Sequence, residues 1–239
     1  MKRDVLRALN EARRQRRAVV RAVDLSSGEE RIFDRVSDLS ELDIGPSPSL
    51  ETTAWKATCT DQSTSFEIDG RVWFLTVYNP PLDLAVVGAV HIAQPLSAMA
   101  QLAGYRVRVI DPRTAFATAE RFPGVAISRD WPDEALAKAP LGPRSALVAL
   151  THDPKVDDPA LTAALRSDCF YVGALGSKKT HATRRERLSQ HGFSDAELDR
   201  IHGPVGLPIG ARSPAEIAVA ILAEITQVLR KIQRHAESA

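Results

Sequence analysis

The stretch LAVVGAVHIAQPL, from Leu84 to Leu96, decides the fold that we predict for this chain. Its apolar start predicts a buried strand, Gly88 permits a sharp exit from that strand, and Ala93 lets the following helix pack closely on the sheet. Val90 stands where a dinucleotide-binding turn of this type has a second glycine, which brings the backbone close to a pyrophosphate. The pattern therefore predicts a nucleotide-binding type of fold whose ligand has changed.

Downstream of Asp83, short apolar stretches alternate with helical patterns. This alternation predicts an α/β fold, with a Rossmann-like parallel sheet and helices on both faces. Strands are predicted at 84–87, 105–110, 126–128, 146–150 and 170–172, and helices at 92–103, 115–121, 133–137 and 159–166. Capping boxes predict two further helices, starting at Ser194 and Ser213, and the second continues to about Ile232 with a buried first half.

The pattern of the first eighty residues predicts a small, separate, mostly β domain. Residues 81–239 are predicted to form the second domain. A helix over 4–17 carries several arginines, which form either a solvated face or a docking surface for an acidic partner. Strands are predicted at 18–25 and 31–33, a loop at 45–50, and a hairpin that pairs 64–68 with 71–78.

Composition excludes several classes of function. The chain has 239 residues, of which 44% are hydrophobic and 26% charged, as expected for an ordered globular protein. A formal net charge of +1 provides no field that would attract nucleic acid or an anionic membrane, and no segment approaches the roughly 20 apolar residues of a membrane span. We expect a cytoplasmic protein. Cys59 and Cys169 form no CxxC pair or Cys/His cluster, so no metal site is predicted.

The ligand site is predicted at the edge where the carboxyl ends of the parallel strands meet. Asp111 ends the second strand 23 residues after Gly88, near the roughly 20 expected of an acidic residue that binds an adenosine ribose. Arg113 could instead receive a phosphate. His91 either contacts the ligand or binds the backbone at the start of the helix.

Three later segments add candidate ligand groups. The turn Thr151-His152-Asp153 supplies a hydroxyl, an imidazole and a carboxylate, or it is a polar turn in which Asp153 binds its own backbone. The segment 172–181 exposes backbone amides and predicts a phosphate site, with a glycine turn before a basic, solvated helix as the alternative. Its candidate residues are Gly173, Gly176, Ser177, Lys178 and Lys179. Arg212, beside the last helix, can bind phosphate or carboxylate, or pair with a nearby acid.

Together these segments resemble the C-terminal domain of the XdhC/CoxI family. The resemblance covers roughly 84–229 and rests on the order of six segments: GAVHIAQPL, VIDPRTAFATAERFP, WPDEAL, LTHDPKVDDPAL, FYVGALGSKKTH and IHGPVGLPIGARSPAEIAVAILAEI. It implies an accessory protein for molybdenum hydroxylases such as xanthine dehydrogenase and carbon monoxide dehydrogenase. Such a protein would bind molybdenum cofactor, as molybdopterin or its dinucleotide, protect it during sulfuration and deliver it to the apo-enzyme. The resemblance also implies a homodimer and contact with a cysteine desulfurase or other sulfurtransferase.

Two departures from the family pattern limit what the resemblance implies. The family has GAGH where this chain has Gly88-Ala-Val90-His91, which weakens the expectation of a dinucleotide at the first turn. The GSAPR-type and GGCVE-type segments of longer members do not occur in residues 1–80, and Cys59 does not match them. A cysteine that holds molybdenum or persulfide is therefore unsupported, and a need for a longer paralogue as a second subunit stays open.

Three hypotheses follow. In the first, residues 173–179 and Arg212 hold the phosphate of a pterin, while His91, Asp111, His152 and Asp153 orient the other groups. The second is an NAD(P)-dependent oxidoreductase that uses Asp111 for ribose and His152 with Asp153 for proton transfer. The third is an assembly scaffold without a small ligand.

Overall fold

The computed structural model describes residues 2–34 and 49–238, with the side chains of the last helix described as far as residue 234. Of the predicted loop at 45–50, residues 45–48 lie outside the described part. The chain divides into two compact units, one formed by Met1–Pro80 with Lys231–Ala239 and the other by Pro81–Arg230. No helix in the described part is both long and apolar enough to cross a bilayer.

The first unit contains a four-stranded antiparallel sheet in the order β2-β1-β4-β3. Its elements are α1 (Arg3–Arg14), β1 (Val19–Asp24), β2 (Glu30–Asp34), α2 (Leu50–Thr60), β3 (Thr64–Ile68) and β4 (Arg71–Tyr78). The hairpin of β3 and β4 has the predicted bounds, because Asp69 and Gly70 adopt the positive φ angles of a tight two-residue turn. Helix α2 was not predicted, and its alanines pack against Trp73 and Leu75 of the sheet.

The second unit is a six-stranded sheet in the order β10-β9-β8-β5-β6-β7, with every strand pair parallel. Its strands are β5 (Asp83–Val87), β6 (Arg106–Ile110), β7 (Ala126–Ser128), β8 (Ser145–Ala149), β9 (Tyr171–Ala174) and β10 (Ile201–His202). Its helices are α3 (Ala93–Leu102), α4 (Pro132–Lys138), α5 (Pro154–Leu165), α6 (Lys178–Gln190), α7 (Asp195–Leu198) and α8 (Pro214–Ser238). The predicted α/β class is confirmed.

Helices cover both faces of this sheet because its central strands are apolar on both sides. Ala85 and Val87 of β5 belong to a buried cluster with Leu161 of α5. Leu84 and Val86, on the opposite face, belong to a second cluster with residues of α3 and α8. Burial on both faces explains why β5 reads as a continuous hydrophobic run and not as an alternating one.

Two helix predictions in this unit were wrong. Residues 115–121 form turns instead of a helix, because the side chain of Arg121 binds the carbonyl of Phe116 and thereby satisfies a backbone group that a helix would have paired. Helix α5 starts at Pro154, five residues earlier than predicted, with Asp153 as its N-cap and Pro159 inside it. Strand β10 was not predicted, since two residues are too few to show a pattern.

Candidate functional site

Five neighbouring strands, β10, β9, β8, β5 and β6, end at the same edge of the sheet. The turns at this edge carry most of the predicted ligand residues, whereas Gly173 lies inside β9 and Arg212 lies ten residues beyond β10. The chain runs from β5 outward to β6 and β7 and then returns to β8 on the other side of β5. The point where the strand order reverses lies between β5 and β8, and ligands of open α/β sheets bind at such a point.

Gly88 and Thr151 face each other across this point. Gly88 has a φ of +104°, and a Cβ atom on it would lie 2.5 Å from Cγ2 of Thr151. The position requires glycine for both reasons. Val90 is half-buried and packs against the core on the α3 side, whereas His91 is exposed. Close to the sheet, the first turn is therefore filled by the apolar side chain of Val90. Only its outer end, at His91, is polar.

Asp111 is completely buried at the end of β6 and accepts hydrogen bonds on both carboxylate oxygens. Its Oδ1 accepts from the backbone N and from Nε of Arg113, both at 2.9 Å. Its Oδ2 accepts from Nη2 of Arg113 and from the backbone N of Ala89, both at 2.7 Å. Burial alone would raise the pKa of Asp111, but these hydrogen bonds hold it below its usual value. A ribose hydroxyl could reach this carboxylate only by displacing Arg113.

The turn after β8 is organised by two carboxylates. The side chain of Asp153 accepts a hydrogen bond from the backbone N of Lys155 at 3.0 Å. This is the bond expected if the segment is a polar turn, one of the two alternatives that the sequence left open. The buried Asp157 accepts from the hydroxyl of Thr151 at 2.6 Å and from the backbone N of His152 at 3.1 Å. These bonds hold His152 at a φ of +64°, with its ring exposed.

The turn after β9 leads into two exposed cations, Lys178 and Lys179. Ser177 caps α6 and accepts from the backbone N of Thr180 at 3.1 Å. Lys178 and Lys179 occupy the first two positions of the helix, where the amides have no intrahelical acceptor. Both ammonium groups are exposed, and neither makes an ion pair with any residue that the structure describes. Amides, helix dipole and two free cations together suit an anion.

The two glycines of this segment have different roles. Gly176 has a φ of +145°, which turns the chain into α6. Gly173 is buried, and a Cβ atom on it would lie 2.6 Å from Val205 and 2.8 Å from the ring of Tyr171. Gly173 thus permits close packing beneath the loop that follows β10.

Arg184 and Asp157 form a buried ion pair that sequence reasoning missed. Arg184 is only 2% exposed, with its Nη2 3.8 Å from Oδ2 of Asp157 and 2.8 Å from the carbonyl of Leu175. Burial raises the pKa of Asp157, against the opposing effect of the hydrogen bonds from Thr151 and the charge of Arg184. The pair connects the turn after β8 with the turn after β9. One signal was available, since Leu188 lies four residues later on the same buried face of α6.

The rest of the basic helix α6 is neutralised by acids rather than simply solvated. Arg185 pairs with Asp195 at 3.3 Å and with Asp199 at 2.6 Å. Arg187 pairs with Asp158 at 2.7 Å. The positive charge that remains available at this part of the edge is therefore concentrated at the start of the helix.

Glu224 of α8 holds the loop that follows β10. It accepts from the hydroxyl of Tyr171 at 2.5 Å and from the backbone N of Gly206 at 2.8 Å, and its Oε1 lies 3.3 Å from Nδ1 of His202. Burial opposes ionisation, but these groups hold the pKa of Glu224 below its usual value. Arg212 lies farther along this loop, with an exposed side chain beside the start of α8. No group of residues in the described part of the chain has the composition of a metal site.

Comparison with known proteins gives a consistent result. The model of the XdhC Rossmann domain matches residues 84–225. The chain is 30% identical over 169 residues to the molybdenum cofactor insertion chaperone PaoD of Escherichia coli strain K12, an alignment that covers 71% of this chain and 46% of PaoD. It is 31% identical over 160 residues to a probable xanthine dehydrogenase subunit of Bacillus subtilis strain 168, which covers 66% of this chain and 46% of that protein.

The chain thus spans just under half the length of these two curated relatives. Among solved structures, that of a xanthine dehydrogenase from Bacillus halodurans superimposes with a TM-score of 0.71 and 24% identity. The superposition covers 98% of this chain and 69% of that chain, and it shows a shared fold.

Proposed function

Because the chain belongs to the family defined by the XdhC Rossmann domain, we propose that it binds molybdenum cofactor and supports its insertion into an enzyme of the xanthine dehydrogenase type. The names of the relatives in Escherichia coli and Bacillus subtilis support both the cargo and the client. The proposal includes molybdopterin or its dinucleotide as the bound form. We further propose that the chain protects the cofactor during sulfuration. Its partners would then be a sulfurtransferase and a second copy of the chain. Carbon monoxide dehydrogenase would be a further client.

The observation that carries the proposal is the unpaired cationic start of α6. The pterin cofactor carries a phosphate, and a phosphate suits a helix N-terminus that offers free amides and two ammonium groups. Lys178 and Lys179 supply these ammonium groups, and the Arg184–Asp157 pair fixes the turn from which they project. The phosphate would therefore lie at the carboxyl end of β9.

The first turn supports a cargo other than NAD(P). A dinucleotide in a Rossmann fold uses the first turn for its pyrophosphate and the acid after the second strand for its ribose. Here the backbone N of Ala89 and the carboxylate of Asp111 bind each other at 2.7 Å, and Arg113 completes the coordination of that carboxylate. Both groups that a dinucleotide would need are thus engaged.

The test is purification from a molybdenum-replete host, followed by analysis of the protein for molybdenum and pterin. We expect the wild-type chain to retain pterin and the double variant K178A/K179A to lose most of it. The control is K231A, which removes an exposed lysine in α8 and leaves the start of α6 unchanged. A wild-type chain that carries no pterin, or that gains stability with NADPH alone, would contradict the proposal.

A further inference from the structure

We propose that Phe116, with the guanidinium of Arg113 over its ring, forms the surface on which the planar ring system of the cargo stacks. The inference rests on the proposed function and adds a recognition element for the heterocycle to the phosphate site at α6. Both residues lie in the loop that follows β6, beyond the carboxyl edge of the sheet. Phe116 had no assigned role in the sequence.

Phe116 is an exposed aromatic side chain in a preorganised setting. The residue is 47% exposed, so a ligand can reach its ring. Cζ of Arg113 lies 4.9 Å from the centroid of its ring, within the range of a cation–π contact. The geometry of Arg113 is itself fixed by its two hydrogen bonds to Asp111. The ring and the guanidinium therefore form one ordered surface.

The backbone beneath this surface is held in place by Arg121. Its Nη1 donates to the carbonyl of Phe116 at 2.7 Å and to the carbonyl of Ala89 at 2.8 Å. These bonds join the loop after β6 to the first turn, next to the point where the strand order reverses. An ordered loop loses little conformational entropy when a ligand binds, which favours affinity.

Charge decides which ligand such a surface suits. Arg113 already binds the carboxylate of Asp111, so its charge is offset, and its side chain remains 38% exposed. Aromatic rings and guanidinium planes are the groups on which proteins stack nucleobases and similar flat heterocycles. A pterin, or the base of a pterin dinucleotide, has this chemistry, whereas a phosphate does not.

The test uses pterin-6-carboxylate, a fluorescent pterin without phosphate, as the probe for the intact chain. We expect stacking to quench its fluorescence and the F116A variant to bind it about tenfold more weakly, in line with the effect of removing one stacked aromatic. F116W should keep the wild-type affinity. The matched control is L102A, which removes a 90% exposed leucine at the end of α3. Circular dichroism verifies that each variant is folded.

The outcomes separate this inference from the proposed function. If the purified wild-type chain carries molybdenum cofactor but F116A binds the probe as tightly as the wild type, the stacking surface is wrong and the proposed function stands. The same conclusion follows if the cofactor copurifies and the probe shows no binding to the wild type. If the wild-type chain retains no pterin and binds no probe, both proposals fail.

Discussion

The guanidinium of Arg113 binds the carboxylate of Asp111 through two parallel hydrogen bonds, Nε to Oδ1 at 2.9 Å and Nη2 to Oδ2 at 2.7 Å. The carboxylate is completely buried, while the arginine is partly exposed. The pair occupies the place where an acidic residue of a dinucleotide-binding fold would meet a ribose. It also holds the guanidinium over the ring of Phe116, with Cζ 4.9 Å from the ring centroid.

Loss of Arg113 leaves this buried carboxylate with backbone donors only. We expect R113M to lower the free energy of unfolding by about 2 kcal/mol, the range for a charged group that loses its hydrogen-bonding partner. Urea denaturation followed by circular dichroism measures the change. Equal stabilities of R113M and the wild type would contradict the structure around Asp111.

The buried pair of Arg184 and Asp157 should be more sensitive to truncation than the partly exposed Arg185 next to it. We expect R184M to lower the free energy of unfolding by about 3 kcal/mol, because it leaves the carboxylate of Asp157 buried without its cation. R185M is the matched control on the same helix, and the loss of its partly exposed ion pairs should cost about 1 kcal/mol or less. Similar urea midpoints for the two variants would show that the burial of Arg184 has no energetic consequence.

Gly88 offers a test of the close approach between the turns of β5 and β8. G88A should be destabilised for two reasons, a positive φ that alanine rarely adopts and a collision with Cγ2 of Thr151. In the double variant G88A/T151S the methyl group is absent while the hydroxyl remains, so part of the loss should be recovered. The φ strain, of order 1 kcal/mol, should persist. No recovery in thermal unfolding of the double variant would mean that the methyl group is not the obstacle.

His181 should give the protein a dependence on pH below neutrality. Burial, together with the charges of Arg184 and Arg185, lowers the pKa of His181 below its ordinary value of 6.5. In the unfolded chain this histidine takes up a proton near pH 6.5, whereas in the folded chain it does so only at lower pH. Its effect on stability is therefore absent above pH 6.5, and stability falls as the pH decreases from 6.5 to the folded pKa.

The measurement is an NMR titration of the His181 ring in the wild-type chain, combined with urea unfolding at pH 7.5 and at lower pH. H181Q removes the titrating group, so its stability should fall less over the same interval. A ring that titrates at or above pH 6.5 would contradict the environment described here.

Parts of both units could be predicted because their signals are local. The apolar run of β5, the hairpin turn at Asp69-Gly70 and the capping box at Ser194 each depend on a few adjacent residues. The alternation of strands and helices then restricts the topology, since parallel strands joined by helices have few arrangements. For the same reason the sequence could place the candidate ligand segments at one edge before any side chain was located.

The interactions at that edge were not predictable in the same way. The sequence marks Asp111 and Arg113 as ligand groups, but it does not show that they bind each other. It also marks α6 as basic, without showing that Arg184 is buried against Asp157.

The sequence by itself determined the fold class, most of the strands and helices, and the edge of the sheet at which the candidate ligand segments lie, because hydrophobic periodicity and turn chemistry act over short stretches of chain. Only the tertiary structure decided which charged groups remain available there. Ion pairs and hydrogen bonds form between residues far apart in the chain, and their energies depend on distances and burial that exist only once the chain is folded. Arg121 illustrates the difference, because its bond to the carbonyl of Ala89 joins residues 32 positions apart in the chain.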